Sequence, residues 1–318
     1  MLQTHRPALK FTLLGTLFLT LIILTAAANL WADEGDAGWA GAALRTGIGA
    51  RALGMGGAYV SLAHGASAIY WNPATLSYHR NREVTFAYSY LPWDRKLAYA
   101  GVAVPVEPTA GVGLAWTHAG VGGIVGRDHN GQPTGELTSA ENAFCLAFSV
   151  KISPYLNVGL GMKYLYYKLV DISATGFGFD VALFSSPIPD LNLGLVVQDV
   201  NAKYTWDTEE VWERGTTTYD EFPFNTRFGA SYKFFQQQLT IAGNLEKNQE
   251  QNIKTHLGAE FSVHPSFIVR AGLNDGTPAF GGSFLKPISE TAVHLDYAVF
   301  FDSVTDEISH IFGWHFQF

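Results

Sequence analysis

The chain has 318 residues, of which 47% are hydrophobic and 14% aromatic but only 15% charged. A soluble domain of this size carries about a quarter charged residues, so the charge deficit argues against an ordinary water-exposed surface. The formal net charge of −8 leaves no basic footprint for nucleic acid, and the single cysteine, Cys145, excludes an internal disulfide or a multi-cysteine metal site.

Taken from the N-terminus, Arg6 and Lys10 precede an apolar run from Phe11 to Ala28 that carries a few Gly and Thr. Ala26-Ala27-Ala28 and then Ala32 offer small-residue cleavage sites, with Asp33-Glu34 just beyond. This layout predicts a secretory signal over residues 1–32, removed near Ala28 or Ala32. The run approaches helix-spanning length, so a retained anchor competes. Small residues rather than a basic stop-transfer cluster follow it, which favours cleavage.

Residues 33–82 show no strand alternation. They hold Arg51-Ala52-Leu53-Gly54-Met55-Gly56-Gly57-Ala58-Tyr59-Val60, then His64 to Tyr70, then Trp71-Asn72-Pro73-Ala74. Glycine density permits tight backbone packing, and Asn-Pro forms turns. No Gly-Lys-Ser/Thr follows the glycines, so they are not a phosphate loop. Ser61 and Ser67 lie near His64 but lack a nucleophile elbow and an orienting carboxylate. No catalytic residue, metal ligand or cofactor is assigned, and no enzymatic activity is expected.

From residue 83 onward the chain alternates. In Ile253–His264, Ile253, Thr255, Leu257, Ala259, Phe261 and Val263 share one face, opposite Lys254, His256, Gly258, Glu260, Ser262 and His264. Phe144, Leu146, Phe148, Val150 and Ile152 likewise oppose Ala143, Cys145, Ala147, Ser149 and Lys151. Strand side chains alternate with period two, so a wall between lipid and a polar lumen reads this way. A soluble sandwich also alternates, but its water-facing side carries many charges, whereas here Gly, Ala, Ser and Asn dominate. The reading is an all-β, transmembrane antiparallel β-barrel of about 14 strands over residues 83–318.

Connections at 107–109, 153–155, 187–190, 236–238, 264–266 and 286–289 are short, and those between them include the two longest, 119–139 and 200–223. Short periplasmic turns and longer extracellular loops are the rule in such barrels, which puts 119–139 and 200–223 outside. The polar faces direct Lys151, Lys163, Arg227, Lys233, Lys254 and Arg270 into the same lumen as Asp180, Glu246, Glu260 and Asp296. Mixed signs imply mutual pairing; a single-sign ring would suggest an ion-selective pore. Wall side chains cannot fill so wide a barrel. Residues 33–82 are therefore the expected plug, with the Asn72-Pro73-Ala74 turn near the first strand, and an open porin is the alternative.

The chain ends with Ile308, His310, Phe312, Trp314, Phe316 and Phe318 on one strand face. Trp314, Phe316 and terminal Phe318 resemble the signal that the barrel-assembly machinery recognises. That implies the outer membrane of a Gram-negative bacterium, with outer-membrane lipid and that machinery as partners.

The stretch from Arg51 to Ser77 resembles the PorV/PorQ family of outer-membrane proteins, a branch of the FadL-like barrels, and Asn72-Pro73-Ala74 is similar to the triplet of FadL-type transporters. The resemblance implies fourteen strands and an N-terminal hatch carrying Arg51, Gly54, Met55, Gly56, Gly57, Asn72, Pro73 and Ala74. It further implies a scaffold or shuttle in type IX-like protein secretion, binding secretion-system subunits or cargo signal domains. Loop 200–223 offers Trp206, Trp212 and Tyr219 as docking aromatics, residue types that dominate interfaces. The alternative is a FadL-like transporter of hydrophobic small molecules.

Overall fold

The computed structural model describes residues 38–78, 80–209, 215–301 and 307–318; the expected signal lies outside them. Fifteen strand segments follow one another: β1 (Glu83–Leu91), β2 (Arg95–Val106), β3 (Ala110–Arg127), β4 (Pro133–Ser153), β5 (Leu156–Leu169), β6 (Ile172–Ile188), β7 (Leu191–Asp207), β8 (Thr217–Glu221), β9 (Asn225–Phe234), β10 (Leu239–Asn248), β11 (Ile253–His264), β12 (Phe267–Asn274), β13 (Thr277–Ile288), β14 (Thr291–Phe301) and β15 (Ile308–Gln317). Sequence neighbours pair antiparallel, and β15 pairs with β1 from Gln317 opposite Glu83 to His310 opposite Tyr90. Both β8 and β9 lie against β7, β8 along Lys203–Asp207 and β9 along Leu191–Gln198. They are two halves of one interrupted strand, so the closed wall has fourteen.

The alternation decides which side faces out. Phe144, Tyr164 and Phe177 stand opposite one another on β4, β5 and β6, with ring centroids 6.4 and 5.3 Å apart on the exposed face. Aromatic cross-strand neighbours of this kind stabilise a sheet. Their chain neighbours Ala143, Cys145, Ala147 and Leu165 face inward and are buried.

The two long loops are shorter than expected. Within 119–139, β3 and β4 continue to a turn at 128–132. A register shift between Val121 and Ile124, with Gly123 in the left-handed region (φ 67°), breaks the alternation there while pairing continues. Within 200–223, β7 runs on to Asp207 and pairs with β8.

Residues 38–78 fill the lumen. They form 3₁₀ turns at Ala43–Arg45, Gly65–Ser67 and Pro73–Ser77 and two short helices, α1 (Ala50–Gly54) and α2 (Ala68–Trp71). Ala50, Ala58, Val60, Ala66, Ile69, Asn72 and Ala74 are fully buried. Asn72 caps the turn after α2, its Oδ1 accepting from Ala74 N at 3.1 Å with Pro73 as the first residue beyond the cap.

Candidate functional site

The lumen segment meets the wall where the wall has no side chain. A Cβ added at Gly111 (β3), Gly159 (β5), Gly258 (β11) or Gly272 (β12) would fall within 3.0 Å of backbone atoms of Leu76, Ala74, Met55 or Gly56, respectively. The segment makes its own allowance at Gly56, whose φ of 64° and backbone approach to Leu273 leave no room for a side chain. Glycines on four strands thus seat the segment from opposite sides of the barrel.

Polar clasps fix its rotation. Asn72 Nδ2 donates to Val60 O at 2.9 Å and to Leu183 O of β6 at 3.3 Å. The Asn72-Pro73-Ala74 turn therefore lies against β5 to β7 and not beside the first strand, because Gly159 and Gly194 leave the space there. What touches β1 is the turn at Ala66, whose N–H donates to Glu83 Oε1 at 3.1 Å. On the far wall, Asn244 Nδ2 donates to Gly57 O at 2.9 Å and His256 Nδ1 donates to Gly56 O at 3.0 Å.

Two ionic networks complete the grip. Arg51 meets Glu260 through two bonds of 2.9 Å, and Arg270 Nε reaches the same carboxylate at 2.5 Å. Beyond Arg270 lie Asp296 at 3.7 Å and then His315, 3.0 Å from Asp296 and 3.4 Å from Glu83. Burial, the largest single influence, works against the charge on Arg51, but Glu260 together with Tyr59 and Asp296 more than offsets it and raises the guanidinium pKa above its ordinary value. Burial also pushes the Tyr59 hydroxyl up, partly offset by Arg51. The second network joins Arg227 to Glu246 at 2.7 Å and Glu246 to His256 at 3.2 Å, with Arg227 over the Trp71 ring at 5.2 Å. Ser67 Oγ donates to the His64 carbonyl at 2.7 Å, and His64 Nε2 accepts from Arg51 at 2.8 Å. The hydroxyl that meets the His64 ring is that of Tyr59, 3.3 Å from Nδ1.

On the β3–β7 side the contact is looser and encloses a cavity of about 40 Å³. Leu44, Ile69 and Tyr70 of the segment face Ala115, Leu165 and Phe222 of the wall across it. One end is polar. Lys163 Nζ lies 2.9 Å from Asp180 and 2.7 Å from Asp199, and the Asp199 N–H donates to Asp180 Oδ1 at 3.0 Å. Asp199 arrives there because β7 is distorted: Asp199 and Asn201 are left-handed at φ 62° and 55°, and the β6–β7 register shifts beside them. Next to this distortion the strand pair β8/β9 is interrupted at 222–224, and Phe222 turns inward so closely that a side chain at Gly41 would overlap its ring.

Of the sequence-assigned lumen residues, Lys163 and Asp180 join the cavity's polar end, and Arg227, Glu260, Arg270 and Asp296 join the networks above. Lys151 and Lys233 form no ion pair among the described residues, and Lys254 is half-buried on β11. Gly54 of α1 packs on the Gly281 backbone, and Met55 fills the space over Gly258. Trp314, Phe316 and Phe318 point outward on β15 and beyond it. The docking aromatics divide. Tyr219 is exposed, with Lys203 over its ring at 4.7 Å, and Trp212 lies outside the described residues. Trp206 is not a rim residue: it is buried, donates to Asp220 at 2.7 Å and packs on Tyr167. The period of β7 brings it to the lumen side together with Tyr204. Glu83 and His315 were legible as inward positions by the same period; Asp199 was not, because its orientation comes from the distortion.

No protein-family model and no curated protein matches the sequence. Solved structures do match the fold. The Pseudomonas putida toluene transporter TodX is similar at a TM-score of 0.60 with 13% identity, over 85% of this chain and 96% of that one. The CymD monoaromatic hydrocarbon channel gives 0.59 with 15% identity over 85% and 97%. The fold is FadL-like. A Pseudomonas aeruginosa FadL homologue aligns at 0.60 with 12% identity over 85% and 97%. These neighbours are described as channels and transporters.

Proposed function

We propose that the chain is a plugged channel of the Gram-negative outer membrane that carries small apolar molecules. The observation that carries this reading is the mostly apolar cavity between segment and wall, placed beside the interrupted strand pair at 222–224. Sites for small molecules are concave and mainly apolar with a few placed polar groups, and this cavity has that make-up. The fold it shares with channels described as taking toluene and other monoaromatic hydrocarbons supports the same class. At about 40 Å³ the cavity is too small for an aromatic ring; benzene occupies engineered cavities of ~150 Å³. Loading therefore requires a side chain to move. Phe222, borne on the interrupted link, is the one placed to do so.

The experiment is uptake of radiolabelled toluene by a bacterial host lacking other hydrocarbon channels, with and without the chain. Faster entry at low external concentration is the expected result. Entry equal to that of the empty host, with the barrel folded in the outer membrane, overturns the proposal. The PorV/PorQ-type docking scaffold is the second reading, and among the described aromatics of its loop only Tyr219 favours it. Its test is capture of a secretion-system partner that fails on Tyr219→Ala.

A further inference from the structure

The polar end of the cavity contains more hydrogen-bonding capacity than the protein uses. Lys163 has three donors and spends two on Asp180 and Asp199. Asp199 engages Lys163 through Oδ1. Thr117 on β3 is 94% buried and lines the cavity, and its hydroxyl makes no hydrogen bond among the described residues. Asp180 Oδ2, fully buried just behind, has no partner either. These groups come from β3, β5, β6 and β7: Lys163 stands opposite Cys145, the β7 distortion brings Asp199 beside Asp180, and Thr117 lies on the next inward row, opposite Ala143, along the same cavity. Asp199 and Asn201 are the residue types that adopt left-handed backbone most readily, which lets the strand bend here.

Arg45, Tyr70, Tyr99 and Gln198 also line the cavity but hydrogen-bond to the protein's own backbone, and the remaining lining is apolar, so the arrangement is asymmetric: a mainly greasy pocket with one corner offering both donors and an acceptor. We infer that the cavity is built for apolar molecules bearing a single hydroxyl, which Asp199 accepts from while Lys163 and Thr117 donate to it. This deepens the transport reading and rests on it. A neutral hydroxyl matches best because it both donates and accepts. A carboxylate meets two acids against one lysine at this end, and an ammonium ion meets Lys163 already seated between those acids. Arg45 also lines the cavity, but away from the triad it donates to Ala40 O at 2.9 Å. A pure hydrocarbon leaves the buried polar groups unanswered, which is the situation in which a site discriminates most strongly.

The test compares toluene, p-cresol and p-toluate, which share one ring and methyl group. Binding to the purified full-length barrel in detergent is measured by equilibrium dialysis, and uptake is measured in the host described above. The expected result is p-cresol binding about tenfold tighter than toluene, the worth of one or two hydrogen bonds. Thr117→Val, which keeps the shape and removes the hydroxyl, should reduce that preference for p-cresol over toluene severalfold. The variant's far-UV circular dichroism and heat-resistant electrophoretic mobility establish that it is folded. Equal binding of toluene and p-cresol overturns the hydroxyl assignment and leaves the transport reading standing. Preference for p-toluate overturns it in favour of a charged ligand at Arg45. Failure of all three to bind or enter overturns the transport reading itself, and the hydroxyl assignment with it.

Discussion

Filling the glycine seats should release the lumen segment while sparing the wall. Gly159 on β5 and Gly272 on β12 face the segment from two sides, and a Cβ at either would fall within 3.0 Å of its backbone, at Ala74 in one case and Gly56 in the other. Backbone held by its own turn cannot yield as a side-chain tip can. Overpacking of this kind costs about 1–3 kcal/mol per site. Two sites on separate strands add to roughly 2–6 kcal/mol against the seated state. At about 1.4 kcal/mol per tenfold, the unseated population rises by a factor of roughly 30 to 10⁴. Valine is itself favourable in a strand, so Gly159→Val with Gly272→Val should still give a folded barrel. Planar-bilayer conductance of that double variant is the assay, with protease digestion of residues 38–78 as a second readout. Large, long-lived openings and new cleavage are expected. A folded double variant whose conductance and digestion match the parent would refute the idea that these glycines seat a plug.

Phe222→Ala should enlarge the cavity toward the ~150 Å³ that admits benzene and raise toluene uptake severalfold in the whole-cell assay. Glu260→Gln leaves Arg51 and Arg270 facing each other without their shared carboxylate, and should lower barrel stability by about 3 kcal/mol or more in a urea titration. Deleting Phe318 should reduce the yield of folded protein in outer-membrane fractions, read by heat-modifiable mobility, without changing the stability of what does insert.

Much of the wall was legible because lipid enforces period two. Phe144 to Ile152 and Ile253 to Val263 face as their alternation requires, and the inward charges meet partners of opposite sign on neighbouring strands, as with Arg227 and Glu246. Legibility failed where period two is broken. Gly122-Gly123 hid the extension of β3, and left-handed Asp199 and Asn201 hid the third member of the Lys163 triad. Trp206 illustrates a different failure. Its aromatic character suggested a docking surface, but a residue's type does not fix its face; only the register of β7 does. The seat of the segment was hidden for a related reason: glycine marks close backbone approach without naming the partner.

The lumen has two unlike walls, and the difference bears on the route a ligand takes. From β9 through β15 and on to β1, the inner face carries Arg227, Glu246, Glu260, Arg270, Asp296 and Glu83, bonded to one another or to the segment. From β3 to β6 it carries mainly Ala115, Ala143, Ala147, Leu165 and Ala182. Parting the segment from the first wall breaks the buried Arg51–Glu260 pair, about 3–5 kcal/mol once a partner is left alone. Parting it from the second breaks apolar contacts, which an apolar ligand replaces, and neutral hydrogen bonds such as those of Asn72 to Leu183 O, Asn157 to Ser77 and Gln198 to Tyr70 O, each about 1 kcal/mol. The path should therefore follow β3 to β7 while the charged wall keeps its hold. A crosslink tests this directly. Gly54 and Gly281 approach so closely that a Cβ on either lies 3.2–3.3 Å from the other's Cα, so a disulfide between these positions needs the two backbones to part by a few tenths of an ångström. In a Cys145→Ala background, Gly54→Cys with Gly281→Cys should tie the segment to β13 under oxidation and leave toluene uptake within about twofold of the reduced form. Oxidation that stops uptake, and reduction that restores it, would mean that the segment must leave the charged wall for a ligand to pass.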